Sequence, residues 1–392
     1  MKRFIRLFHS IGLKKGLVYV TIGNFALAGL GALLWFILAS QMTASNYGSL
    51  NYYISVSTIF TSIGIMGFDS TLTTFLAKGL TKMRTESSSL VLIAGTILSI
   101  ILLLTFMSLS LMLTFLGALF FSLSAAEVLG RHLYKEFMIL LIALRLISLL
   151  SVPLLFSMYG IDGALYGYAL SYLPLSYRFF ISLRKFDLSL STLRPNKNFF
   201  FHSYALGVSK NLTYFSDKLI ILPLFGLGVL GYYQFGVQVL TAMSIIPLIL
   251  YQYFLPQFAG NKNINKEKIQ KFGFFSSVII TIVMIVLVPL IIVHLFPRFE
   301  NAILPTQIIL VAGIPLTMIS IFNSILLASE KSIYVIVASG IFLVTQYLLI
   351  ASLGWLYGLI GLSIATVTAS VAQTIYLFIM KKKISLPNSK TI

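Results

Sequence analysis

Apolar runs of about twenty residues, the length that crosses a bilayer as a helix, recur along the chain between short polar stretches. Read in order they cover Leu17–Ser40, Tyr47–Phe68, Ser89–Met107, Leu109–Gly130, Phe137–Tyr159 and Gly163–Leu183. After a polar, basic segment, Arg184–His202, come Ser203–Phe225, Leu230–Leu255, Phe272–Phe296, Ala302–Ser329, Ile333–Leu353 and Tyr357–Met380. The third and fourth runs are parted only by Ser108-Leu109-Ser110. Inside lipid the backbone must satisfy its own polar groups, so runs of this length read as helices. Pro153, Pro223, Pro247, Pro289 and Pro315 fall inside runs, where membrane helices tolerate proline as kinks. The pattern predicts an all-α integral membrane protein of about twelve transmembrane helices. It divides into residues 1–183, a basic linker 184–202, and residues 203–392.

Composition agrees: of 392 residues 58% are hydrophobic and only 10% charged, with mean hydropathy +0.97. Soluble domains carry about 25% charged residues. The net charge of +18 would point to nucleic acid in a soluble chain, but the basic residues form no nucleic-acid motif. They sort by side of the membrane instead. With the N-terminus inside, Lys2, Arg3, Arg6, Lys14 and Lys15 lead. Lys78, Lys82 and Arg84 follow, then Arg131 and Lys135, then Arg178, Arg184, Lys185, Arg194 and Lys197. Lys262, Lys266, Lys268 and Lys271, then Lys331, then Lys381, Lys382, Lys383 and Lys390 complete that side. This places 24 of the 28 basic residues on one side, with Arg298 alone in a loop on the other. Both termini are expected in the cytoplasm, and the run from Gly16 to Ala39 reads as a retained helix, being longer than a signal-peptide core.

The halves resemble each other. Tyr47-Gly48 opens the second run and Leu230-Gly231-Tyr232 the eighth. Tyr159-Gly160-Ile161-Asp162-Gly163 opens the sixth and Tyr357-Gly358-Leu359-Ile360-Gly361 the twelfth. A duplicated unit with an even number of spans gives a parallel internal repeat, an arrangement found in transporters.

The order of these features resembles the multidrug/oligosaccharidyl-lipid/polysaccharide (MOP) exporter superfamily, above all its polysaccharide-biosynthesis branch, the O-antigen (Wzx-like) flippases. The stretches that carry the resemblance begin with Gly23-Asn24, Ala44-Ser45-Asn46-Tyr47-Gly48, Ile63-Gly64-Ile65-Met66-Gly67-Phe68-Asp69 and Phe75-Leu76-Ala77-Lys78. They continue with Asp217-Lys218-Leu219-Ile220-Ile221, Gly228-Val229-Leu230-Gly231-Tyr232-Tyr233 and Leu255-Pro256, and end with the two Tyr-Gly-x-x-Gly turns. The resemblance implies two six-helix lobes in a MATE-like V around a central cavity. It also implies flipping of lipid-linked oligosaccharides without ATP hydrolysis.

Ionisable groups inside spans are costly and usually functional. Arg145 lies about 15 Å into the fifth span, near the midplane. Its fork suits phosphate oxygens, so it is a candidate contact for the pyrophosphate of a polyprenyl-linked sugar. The alternative is an interhelical salt bridge, for example to Asp217. In the seventh span Lys210, Asn211, Tyr214, Asp217 and Lys218 fall within about 120° of arc, a stripe expected to face protein or water. Lys210, Asn211, Tyr214 and Lys218 are candidate substrate contacts and Asp217 a candidate coupling-cation site. Being adjacent, Asp217 and Lys218 are expected to have separate partners. Asp69 and Glu127 are expected to be loop or interface charges at span ends. Asn51, Tyr52, Tyr53 and Ser55 in the second span, echoed by Tyr232, Tyr233, Gln234 and Gln238, suit sugars or serve helix packing.

With no cysteine, thiolate chemistry is excluded. His9, His132, His202 and His294 show no metal spacing, and no GxxxxGK[ST] loop is present. The sequon Asn211-Leu212-Thr213 lies at a span start on the inner side and is not read as a glycosylation site. The expected function is a flippase for a polyprenyl-pyrophosphate oligosaccharide, not an enzyme, working in the cytoplasmic membrane by alternating access through a cationic cavity. It would need no cofactor or metal and bind no nucleic acid. Its partners would be membrane lipids and, in the same pathway, a polysaccharide polymerase or glycosyltransferases; the chain itself would be a monomer. The alternatives are a cation-coupled drug or metabolite exporter of the same superfamily and, in another class, an integral-membrane transferase.

Overall fold

The computed structural model describes residues 15–244 and 266–385. Lys2, Arg3, Arg6, Lys14, Pro247, Leu255-Pro256, Lys262 and Lys390, and with them the two termini, lie outside the described residues. Among the described residues the regular structure is helical, with no strand. The helices are α1 (Lys15–Gln41), α2 (Ala44–Gly64), α3 (Phe68–Ala77), α4 (Met83–Phe106), α5 (Leu109–Gly130), α6 (Tyr134–Tyr172) and α7 (Tyr177–Ser182). They continue with α8 (Lys197–Phe215), α9 (Asp217–Met243), α10 (Lys266–Leu295), α11 (Ile303–Leu310), α12 (Gly313–Ala328) and α13 (Ser332–Ser385).

Among the described residues nine segments are long and apolar enough to cross a membrane when two bent pairs, α2 with α3 and Pro297–Leu310 with α12, each count as one. Three of the nine run to 49, 50 and 52 residues. Each of these contains a glycine with non-helical backbone, Gly160, Gly226 or Gly358. Each holds two of the spans read from the sequence, the eighth of them only as far as Met243, which brings nine to twelve. The chain is a multi-pass membrane protein.

At Gly160 the chain turns back on itself. A Cβ on Gly163 would stand 1.9 Å from the Leu155 carbonyl oxygen; along a straight helix those residues would be about 12 Å apart. Ser151 Oγ donates to the Gly167 carbonyl at 2.9 Å, tying the two arms together. The second half repeats the device. Gly358 has φ 55, ψ −131 against φ 61, ψ −140 at Gly160. A Cβ on Gly361 would again stand 1.9 Å from a carbonyl oxygen, that of Leu353. Such positive-φ, extended-ψ backbone is essentially reserved for glycine. The other matched pair, Gly48 and Gly231, meets directly, with a Cβ on Gly48 falling 2.8 Å from Gly231 N.

Several boundaries differ from the sequence reading. The helix of the second span ends at Gly64, and after Met66-Gly67, both with positive φ, a further helix runs on to Ala77 at 46° to it. The break at Ser108 is real, since Met107 is left-handed and Ser108 Oγ accepts from Leu111 N at 3.2 Å, capping α5. Lys197–His202 of the basic linker is already helical, and the seventh span is interrupted at Ser216.

By its own contacts the chain forms two compact units. One takes in α1 as far as Leu38 and then Tyr52–Phe215; the other takes Ala39–Asn51 and everything from Ser216 onward. In the first, Phe121, Val128, Phe137, Leu140, Leu141 and Leu144 form a buried cluster between α5 and α6. In the second, Ile319, Phe322, Leu326, Ala338 and Leu377 do the same between α12 and both arms of α13.

Candidate functional site

Loops assigned to one side by charge do meet in space. In the first unit Arg84, Arg131 and Arg178, from three successive basic stretches, converge on Glu127 at 2.8, 2.9 and 3.4 Å. Arg178 also reaches Glu136 at 2.6 Å. Glu127 is 2% exposed, so it is the buried centre of an arginine cluster rather than a loop or interface charge. Burial of a carboxylate requires such pairing. Close by, the fully buried Glu86 accepts from Ser191 Oγ at 2.8 Å, from Thr192 N at 3.0 Å and from Leu193 N at 3.3 Å. The basic linker is therefore strapped to the start of α4.

Arg145 sits about 16 Å along α6, half-buried. Its Nε donates to the Leu27 carbonyl of α1 at 3.1 Å. Gly31, one turn further along α1, makes this approach possible: a Cβ there would lie 3.1–3.3 Å from the guanidinium. Among the described residues no carboxylate pairs with Arg145. Tyr168 and Tyr172 lie within electrostatic reach of it. The Tyr168 ring is 97% covered and approaches Trp35 with 6.4 Å between ring centres, and its hydroxyl has no hydrogen-bond partner among the described residues. An unpaired guanidinium and a buried, unsatisfied hydroxyl in a span are both costly unless a polar group visits them. Tyr168 and Gly31 were not evident in the sequence, because their relation to Arg145 exists only across helices.

The stripe on the seventh span is split. Lys210, Asn211 and Tyr214 lie on α8 in the first unit, with Lys210 and Tyr214 exposed and Asn211 half-buried. Lys210 is within electrostatic reach of Asp69. Asp217 and Lys218 begin α9 in the second unit, both buried, and pair with each other at 2.9 Å. The expectation of separate partners fails because a lysine stem is long enough to curl back over the preceding residue at a helix start.

The second carboxylate oxygen of Asp217 accepts from the Tyr233 hydroxyl at 2.9 Å, which lies 2.9 Å from Thr366 Oγ1 and is also bonded by Gln346. Tyr347 donates to Ser216. Tyr233 thus belongs to a buried network around the ion pair rather than to a sugar-facing surface.

No family model matches the sequence, and no curated protein matches it. Solved structures do match. "Lipid II flippase MurJ, inward closed conformation" superposes with TM-score 0.74 at 15% identity, covering 93% of this chain and 87% of that one. "Inward-facing conformation of a multidrug resistance MATE family transporter of the MOP superfamily" gives TM-score 0.66 at 14% identity, covering 96% and 100%. "Crystal structure of MATE in complex with MaL6" gives TM-score 0.65 at 13% identity, covering 95% and 98%. With this helical architecture and these likenesses, the chain has the fold of the MOP transporter superfamily.

Proposed function

We infer that this chain is a transporter that carries a lipid-linked oligosaccharide, its head joined to a polyprenyl chain through pyrophosphate, across the cytoplasmic membrane. The observation that carries the reading is Arg145: a cation deep in a span, held by a backbone carbonyl and facing no acid among the described residues, beside the unsatisfied Tyr168 hydroxyl. A phosphate would give the guanidinium an anionic partner, and the guanidinium fork matches phosphate geometry. The hydrated head cannot enter hydrocarbon unless polar groups replace its water. Lys210, Asn211 and Tyr214, on a partly exposed face of α8, would meet the head before or after Arg145, while the polyprenyl tail stays in lipid. The likeness to a lipid II flippase supports this reading. The termini and the basic loops would lie in the cytoplasm. Pathway enzymes such as a polymerase or glycosyltransferases would act on the delivered substrate.

The second reading, export of drugs or metabolites coupled to a cation, is supported by the likeness to multidrug transporters. That reading needs an acid free to bind the cation. Asp217 is the deep acid in the second unit, and the Lys218 ammonium already neutralises it.

The two readings separate in one experiment. The Arg145→Glu variant and the wild type are expressed in a polysaccharide-export-deficient strain, and both surface glycan and drug sensitivity are measured. The flippase reading expects the wild type to restore glycan, the variant to fail at equal membrane abundance, and drug sensitivity to stay unchanged. Restored drug resistance without restored glycan would favour the second reading.

A further inference from the structure

At the end of α1 nearest the arginine cluster, a pocket of about 510 Å³ opens between Gly16 and Tyr19 of α1 and residues 132–139 at the start of α6. Two local features shape it. Gly16 lets the Tyr134 ring rest on the α1 backbone, since a Cβ there would be 2.4 Å from the ring. His132 is held in left-handed backbone, φ 58, with its Nδ1 2.7 Å from the Tyr134 hydroxyl. A non-glycine residue in that region is strained, and such strain persists only where surrounding structure imposes it.

The chemistry of the wall is mixed. Lys135 and His132 are exposed in it. His132 Nε2 has no partner among the described residues. Glu136, the acid in the wall, is held by Arg178 and Tyr177, so among the described lining residues the uncommitted formal charge is the Lys135 ammonium. Apolar groups stand among them, Leu133 39% and Ile139 50% exposed, with Ile139 one helical turn beyond Lys135 on the same face. Both helices that form the pocket are membrane spans, and Tyr19 and Tyr134 are the amphipathic rings favoured where hydrocarbon meets headgroups.

We propose that this pocket binds the head of an anionic glycerophospholipid, its phosphate between Lys135 and His132 and its first acyl carbons against Leu133 and Ile139. A soluble phosphate would satisfy the cationic groups and leave the apolar ones in water. A zwitterionic lipid would bring a second cation towards Lys135. An anionic diacyl lipid answers both kinds of group. This site is independent of the transport reading, because its residues all belong to one unit and its occupancy is read without any transported substrate.

The test uses the full chain, purified in detergent and reconstituted with phosphatidylglycerol or phosphatidylcholine, with retained lipid counted by native mass spectrometry. A basic residue near an anionic membrane surface contributes about fivefold in binding, so reversing one charge is expected to cost about tenfold or more. The wild type should keep a phosphatidylglycerol adduct and lose phosphatidylcholine. Lys135→Glu should lose the adduct, His132→Ala should weaken it, and Leu133→Asn should weaken it with both cations intact. Lys135 and Leu133 are exposed and their variants should melt with the wild type; His132→Ala also loses the bond to the Tyr134 hydroxyl, so the proposal stands or falls on the Lys135 and Leu133 variants. Equal retention of both lipids, unchanged retention in Lys135→Glu, or displacement of the lipid by inorganic phosphate alone would overturn the proposal.

Discussion

Replacing Arg145 tests the substrate reading most directly, and the structure supplies both the magnitude and a control. The Nε bond to the Leu27 carbonyl is one charge-assisted contact, and a hydrogen bond to a charged group contributes about 1.5–3 kcal/mol. Arg145→Lys keeps the charge but loses the fork and its anchor to α1. If that alignment is what the phosphate meets, transport should fall about ten- to a hundredfold, since about 1.4 kcal/mol is a factor of ten. Arg145→Gln should fall further. Gly31→Ala acts on the same group without touching it: the new methyl would sit 3.1–3.3 Å from the guanidinium, which must give by a few tenths of an ångström. The expected loss is smaller, under about tenfold, because a long side chain can yield. Gly29→Ala is the control, for it has open space around it on the same helix. The assay is translocation of a fluorescent polyprenyl-pyrophosphate sugar in proteoliposomes, normalised to reconstituted protein, with melting measured in parallel. Wild-type rates in both Arg145 variants, or equal damage from the two glycine substitutions, would refute the reasoning.

Three more substitutions probe the framework. Lys218→Met should leave a buried Asp217 charge and cost about 3–5 kcal/mol, while Asp217→Asn with Lys218→Met should recover most of it, since replacing a whole buried pair is often neutral; thermal melting of the purified protein reads this, and strict additivity would contradict the pairing. Gly163→Ala and Gly361→Ala should each abolish folded protein, because the methyl would overlap a carbonyl oxygen at 1.9 Å; Gly160→Ala, strained but unobstructed, should cost only about 1–3 kcal/mol. Size-exclusion profiles of a fluorescent fusion decide it. Glu86→Ala should release the linker, so that protease cuts between residues 187 and 193 at least tenfold faster, with gel analysis as the readout; an unchanged rate would show that the strap does not depend on Glu86.

The architecture was largely legible because lipid imposes a harsh rule, a long apolar run for every crossing. The Tyr-Gly-x-x-Gly turns were readable as a repeat, and their backbone angles show why glycine stands first: no other residue takes that conformation cheaply. What stayed hidden was relational. Glu127 looked like a span-end charge because Arg84 and Arg178 lie 43 and 51 residues away. The bend at Met66-Gly67 was invisible to hydropathy, since both arms are apolar. Arg145 was found by its depth alone, whereas Tyr168 passed as one tyrosine among many until packing left its hydroxyl without a partner. The Asp217–Lys218 pair was misread because helical spacing describes where Cβ atoms point and not how far a four-carbon stem can bend.

The hairpin closed at Gly160 brings together residues only 16 apart, Ser151 and Gly167. Contacts between near neighbours in sequence cost little loop entropy and form early. Each half of the chain therefore ends in a piece that can dock within itself as soon as its two arms have left the ribosome and entered the bilayer. The insertion machinery then receives the last two helices of each half as one prefolded wedge, and a defect at either turn would be met by quality control during synthesis.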